Sequence, residues 1–150
     1  MTATTKSAKE TGKLASKIAR KLIGSEQSSK AQVIALEGEL GAGKTTFVKA
    51  FLAEFGVKDK VTSPTFVLLK KYSAKANSKF RSLIHVDAYR LRDHRELESI
   101  GLKDMMSDPR NILLIEWAER VEPILPKNII NIHIDHIEKD ERKIHVTGIK

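Results

Sequence analysis

The residues Gly38 Glu39 Leu40 Gly41 Ala42 Gly43 Lys44 Thr45 follow directly on the apolar run Val33 Ile34 Ala35 Leu36 and lead into Thr46 Phe47 Val48 Lys49 Ala50 Phe51 Leu52. An octet of the form GxxxxGK[ST], set between a strand pattern and a helix pattern, has the spacing of a phosphate-binding loop. A loop wrapped round a polyphosphate must turn tightly and bring several backbone N–H groups to its oxygens, which glycine allows. The helix that begins at Lys44 would turn its unpaired amides and its dipole toward the same anion. Lys44 is placed to reach the β- and γ-phosphates, and the Thr45 hydroxyl to ligate Mg²⁺. Gly38, Glu39, Leu40, Gly41, Ala42, Gly43, Lys44, Thr45 and Thr46 are therefore the candidate nucleotide-binding residues. The motif is silent on what the nucleotide is used for.

With 150 residues, 41% of them hydrophobic, the chain can bury one core and is short for two, so a single domain over residues 1–150 is expected. There is no cysteine, which excludes disulfides, thiolate metal sites and thiol redox control. The first residues, Met1 Thr2 Ala3 Thr4 Thr5 Lys6, hold no apolar signal core. The apolar runs at 66–69 and 112–115 are far too short to span a bilayer. A soluble, cytoplasmic protein is the expectation.

The net charge of +8 is unevenly spread. Residues 1–30 carry seven Lys/Arg against two Glu, and residues 70–95 carry eight Lys/Arg against two Asp, so the remainder is net negative by three. Two basic segments flanking a balanced body would suit an RNA, an acidic protein partner or plain solubility. No aromatic residues interleave with the lysines in the manner of a base-reading surface, which favours a solvated face over sequence-specific RNA reading.

Leu14, Ile18 and Leu22, with Ala15 and Ala19 beside them, recur at helical spacing while lysines fill the other face, predicting an amphipathic helix over 7–23. A loop over 24–30 precedes the strand at 32–36. The helix from Lys44 should stop near Gly56. Pro64 pushes Ser63 out of helical geometry, and 65–72 then reads as a strand, paired through a polar stretch at 73–79 with a second strand at 82–86 as an antiparallel hairpin. A short helix over 92–100 is closed by Gly101. The unbroken run Ile112 Leu113 Leu114 Ile115 is that of a fully buried central strand, and 130–134 and 143–147 alternate as outer strands. The whole predicts an α/β fold of the phosphate-loop type: a mixed, mainly parallel sheet with an antiparallel hairpin and helices on its faces.

Two of these strands end in acids, Val86 in Asp87 and Ile115 in Glu116, the latter followed by the sole tryptophan, Trp117. Strands parallel to the one before the loop open their carboxyl ends on the phosphate edge, so either acid could hold Mg²⁺ or position the attacking water. Thr65, after Ser63 and Pro64, is placed to sense a γ-phosphate as a switch-loop threonine does. His85 lies within an alternating strand and reads as a packing residue, and His94, His133, His136 and His145 show no metal-ligand spacing.

Taken together these pieces resemble the TsaE family, formerly called YjeE, small bacterial P-loop ATPases needed for threonylcarbamoyl-adenosine modification of tRNA. The resemblance is carried in order by Gly38 to Phe47, by Ser63 Pro64 Thr65 Phe66, by His85 Val86 Asp87 Ala88 Tyr89 Arg90 Leu91, by Glu96 Leu97 Glu98 with Gly101, and by Ile115 Glu116 Trp117 with Leu125 Pro126. It extends from about residue 11 to residue 142. It implies an ATPase of low intrinsic activity, using ATP and Mg²⁺, that binds the TsaD/TsaB pair and supports its transfer of the threonylcarbamoyl group to tRNA without carrying that group itself. By position it implies that Lys44 and Thr45 serve phosphate and Mg²⁺, that Glu116 is the metal-binding acid, and that Asp87 is the acid implicated in hydrolysis. It likewise implies that Trp117 lies near the nucleotide, that Thr65 belongs to a switch-like segment, and that Thr11 and Arg142 approach the nucleotide from the two ends of the chain. Glu39 stands where many relatives have Asp, and Ala88 where they have a larger apolar residue. The basic stretch 70–81 is no part of the family's motifs.

Other nucleotide users fit less well. A GTPase would need a DxxG switch and an NKxD guanine-reading motif, and the chain has neither. A small-molecule kinase usually carries an arginine-bearing lid, whereas 73–79 is short and lysine-rich. A nucleotide-dependent binding module, in which ATP orders residues 63–65 for a partner and turnover resets them, is the alternative from a different class.

Overall fold

The computed structural model describes residues 1–64 and 67–150, so the candidate switch residue Thr65 lies outside the described residues. The elements run β1 (Thr2–Thr5), α1 (Ala8–Gly24), β2 (Gln32–Glu37), α2 (Lys44–Glu54), β3 (Leu69–Ser73), β4 (Ser82–Asp87), α3 (Arg95–Ser99), α4 (Leu102–Ser107), β5 (Asn111–Glu116), a 3-10 helix (Ala118–Ile124), β6 (Ile130–Glu138) and β7 (Glu141–Thr147).

The strands form one sheet in the order β1-β7-β6-β2-β5-β4-β3. Its four middle strands, β6, β2, β5 and β4, are parallel, and antiparallel pairs close both margins. β2 and β5 sit at the centre because Val33–Leu36 and Ile112–Ile115 are apolar without a break, which only a strand covered on both faces can satisfy. Alternation then divides the core. Ile34 and Leu36 face the layer of α1 and α2, with Phe47, Phe51 and Phe55, whereas Val33 and Ala35 face Leu97, Leu102 and Val121 on the other side. Each buried phenylalanine contributes roughly 1.5–3 kcal/mol, so Phe47 and Phe51 on α2 and Phe55 at its C-terminal cap, in ring contact one after the next, hold that helix, and with it the start of the loop, against the sheet.

α1 begins where expected. Ser7 accepts the Glu10 N–H at 3.1 Å while the Glu10 carboxylate accepts the Lys6 N–H at 2.7 Å, a reciprocal cap, and Thr11, Ala15, Ile18, Ala19 and Leu22 form the buried face. α2 ends just before Gly56, as predicted.

Several expectations are corrected. Of the strand read over 65–72, residues 65 and 66 lie outside the described residues and β3 is described from Leu69; Leu68 before it has a left-handed backbone (φ 63°), which breaks the extended run. The helix read over 92–100 is confined to Arg95–Ser99, and a second short helix, α4, follows Gly101 at once. α4 exists through tertiary contacts: Met105 and Met106 carbonyls accept from the Asn111 side chain and the Ala31 N–H, both at 3.0 Å. The strands at 130–138 and 141–147 are not the margin of the sheet, because β1, unrecognised in the sequence, pairs antiparallel with β7 outside them. The polar connection between β3 and β4 is docked rather than free, with the Lys75 N–H on the Phe55 carbonyl at 2.9 Å and the Lys79 ammonium on the Ser25 carbonyl. Among the described residues no helix is long and apolar enough to cross a membrane.

Candidate nucleotide site

The loop between β2 and α2 has the backbone that its glycines were expected to permit. Gly38 (φ 146°) passes so close to β6 that a Cβ there would lie 2.5 Å from the Ile134 carbonyl oxygen. Gly43 (φ 108°) has nothing within 4 Å of where its Cβ would stand, leaving the approach to the first amides of α2 open. Gly38→Ala is expected to destabilise the protein by about 1–3 kcal/mol, from strain and the clash with a backbone atom that cannot yield. Urea unfolding checks this, and an unchanged midpoint would contradict the close approach.

A cavity of about 380 Å³ lies over this loop, lined by Leu40, Gly41, Gly43, Lys44, Thr45 and Thr46 on one side and by Ser63, Asp87, Tyr89, Glu116 and Trp117 on the other. Both acids reach it for the predicted reason. β4 and β5 are parallel and in register with Asp87 opposite Glu116, so the two carboxylates emerge from one end of the sheet. Asp87 accepts from the Ser63 hydroxyl at 2.7 Å and from the Tyr89 N–H at 2.9 Å. Glu116 Oε1 accepts from the Thr45 hydroxyl at 3.1 Å, and Glu116 Oε2 lies 2.6 Å from His85 Nε2.

Lys44 folds back over the loop. Its ammonium donates to the Gly38 and Glu39 carbonyls at 2.5 and 2.9 Å and lies 4.2 Å from the centre of the Trp117 ring. Burial pushes its pKa below the usual lysine value, against the opposing pull of Glu116, Glu119 and Asp87. Trp117 has a left-handed backbone (φ 58°), unusual for so bulky a residue and sustained by ring contact with Tyr89 at 4.9 Å and with the Arg120 guanidinium at 5.5 Å. Leu40, at the loop's tip, is 76% exposed.

The residues assigned from the two ends of the chain are placed differently from each other. Arg142 grips the outer side of the loop, its Nε donating to the Ala42 carbonyl at 2.9 Å and Nη2 to that of Gly41 at 3.4 Å. Thr11 is buried, its hydroxyl 2.8 Å from that of Thr5, where it ties α1 to β1; it is not among the residues lining the cavity. His85 was read as a packing residue, Ser63 and Tyr89 were motif residues without an assigned role, and Arg120 was not noticed in the sequence, although period-two alternation places His85 on the same strand face as Asp87. Among the described residues no cluster of three or more His, Asp or Glu side chains is arranged to hold a metal by itself.

A buried parallel strand, a glycine loop against its end, and a helix that starts on a lysine and a threonine facing two strand-end carboxylates together define a phosphate-loop α/β protein. The chain belongs to the TsaE family: the family model "Threonylcarbamoyl adenosine biosynthesis protein TsaE" matches residues 5–144. Similar to it are the tRNA threonylcarbamoyladenosine biosynthesis proteins TsaE of Bacillus subtilis, 40% identical over 117 residues (78% of this chain, 70% of the relative), and of Aquifex aeolicus, 40% identical over 142 residues (93% and 90%). The crystal structure of Bacillus subtilis YdiB superimposes with a TM-score of 0.77 at 30% sequence identity, over 100% of this chain and 86% of that one.

Proposed function

We propose that the protein binds and hydrolyses ATP and in doing so supports a TsaD/TsaB complex that transfers the threonylcarbamoyl group to the tRNA adenosine next to the anticodon. The observation that carries this reading is the convergence of Lys44, Thr45, Asp87 and Glu116 on one cavity over an open helix N-terminus.

The backbone amides at Gly43 and Lys44 and the Lys44 ammonium would bind the phosphates, the ammonium leaving the Gly38 and Glu39 carbonyls to do so. Thr45 and Glu116 would hold Mg²⁺. A hydroxyl and a carboxylate are hard oxygen donors, and a cation that takes its other ligands from phosphate and water needs no all-protein cage. When bound, that ion neutralises charge on the β- and γ-phosphates. Asp87, accepting from Ser63 and Tyr89 at the rim of the same cavity, is the candidate to orient the attacking water and accept its proton. Trp117 would wall the site and Arg142 would stiffen the loop from behind.

The test is phosphate release from ATP by the purified protein, alone and with TsaD/TsaB from the same source, with Lys44→Ala as the blank. Stimulation by the pair, lost in the blank, is the expected result. Equal turnover with and without the pair would leave an ATPase and remove the partner.

The basic stretch of the hairpin is a candidate contact for that complex or its tRNA, since Lys70, Lys71 and Lys75 are exposed and the connection that follows β3 docks at the end of the basic helix α1, where Lys79 meets the Ser25 carbonyl. Replacing Lys70, Lys71 and Lys75 with Ser is expected to weaken association and flatten its salt dependence, each lost phosphate contact removing close to one unit of the log–log slope. Affinity and slope both unchanged would identify a solvated face.

A further inference from the structure

His85 is 0% exposed on β4, among apolar residues of the core, where Leu or Phe would serve packing better. Among the described residues its buried Nδ1 has no hydrogen-bond partner, a cost that packing alone does not recover. Its other nitrogen meets Glu116 at 2.6 Å, the same carboxylate that accepts the Thr45 hydroxyl through its second oxygen. With the Glu116 carboxylate as the acceptor of this contact, Nε2–H is its donor.

We propose that His85 is a positioning residue for the site's divalent cation: its Nε2–H fixes Glu116 with Oε1 toward Thr45 and away from the Lys44 ammonium. The alternative for a carboxylate at this place is an ion pair with Lys44, which would occupy the groups needed for phosphate and for metal at once. In the structure Lys44 instead rests on two carbonyls and the Trp117 ring, with no ion pair to Glu116 among the described residues. His85 thus keeps cation and phosphate binding on separate side chains. The inference rests on the reading of Glu116 as the cation's carboxylate.

The experiment compares wild type with His85→Leu, His85→Gln and Glu116→Ala by calorimetric titration of a non-hydrolysable ATP analogue in EDTA and at a series of MgCl₂ concentrations. His85→Leu is expected to raise the half-saturating MgCl₂ concentration by about 10–100-fold, the usual effect of losing a partner behind a metal ligand. Affinity in EDTA should stay close to that of wild type. His85→Gln, whose amide can donate to Glu116, should recover most of the shift. A shift in Glu116→Ala without one in His85→Leu overturns the positioning role alone, and no shift in Glu116→Ala overturns the metal reading beneath it. Equal losses in EDTA and in MgCl₂, or no recovery in His85→Gln, would make His85 merely structural. Should His85→Leu fail to fold, ¹⁵N NMR of the wild-type imidazole decides: a proton on Nε2 in the Mg²⁺-analogue complex is expected, and one on Nδ1 overturns the proposal.

Discussion

Lys44→Ala is expected to lower nucleotide affinity by roughly two to three orders of magnitude, the loss of about 3–4 kcal/mol that accompanies removal of one partner from a buried, charge-assisted contact. Lys44 as a whole residue is 5% exposed at the first turn of α2, so water cannot readily take its place. Stability should move the other way. Folding lowers the Lys44 pKa by burial, so the folded state disfavours the charged form. Below the folded pKa the lysine is charged in both states and the penalty is complete; the penalty is relieved only as pH rises through the folded value. At neutral pH the alanine variant removes that penalty, and its melting temperature should equal or exceed that of wild type. Calorimetric binding beside thermal unfolding checks both halves. Lost binding together with a lowered melting temperature would instead mean that the ammonium's contacts with Gly38, Glu39 and Trp117 hold the loop together.

The second large effect is expected at Glu116. Glu116→Ala should lower Mg²⁺-dependent ATP turnover by about 10²–10³-fold, the size of loss that follows removal of one group stabilising transition-state charge, while nucleotide binding falls far less. The asymmetry arises because the loop amides and Lys44 reach the phosphates without Glu116, whereas Thr45 loses the acceptor of its hydroxyl and the cation loses its carboxylate. Comparing kcat and KM separates these contributions. Unchanged turnover would take Glu116 out of the machinery and leave Asp87 as the metal acid.

Asp87 and Glu116 were legible before the fold because each ends an apolar run. A strand buried on both faces admits a charged residue only where it leaves the core, and parallel strands leave it on the same side. What each carboxylate meets was not legible. Ser63 reaches Asp87 across 24 residues, Thr45 reaches Glu116 across 71, and Arg142 reaches the loop at Ala42 across 100, pairings that no local spacing encodes.

His85 shows the boundary between the two kinds of information. Alternation alone makes it an inward-facing residue, and an inward-facing residue in such a strand reads as packing; only the register of β4 on β5 brings its ring against Glu116. β1 and α4 are of the same kind. Four residues of threonine and alanine have no strand signal without β7 beside them, and α4 is too short to hold without the carbonyl contacts to Asn111 and Ala31. Sequence by itself determined the phosphate loop, the central strands and the family, because glycine conformation, burial on two faces and helix periodicity are written in neighbouring residues. Tertiary structure alone decided the β1 edge of the sheet, the resting place of the Lys44 ammonium and the partners of both acids, because those depend on which distant backbones the burial of the core brings together.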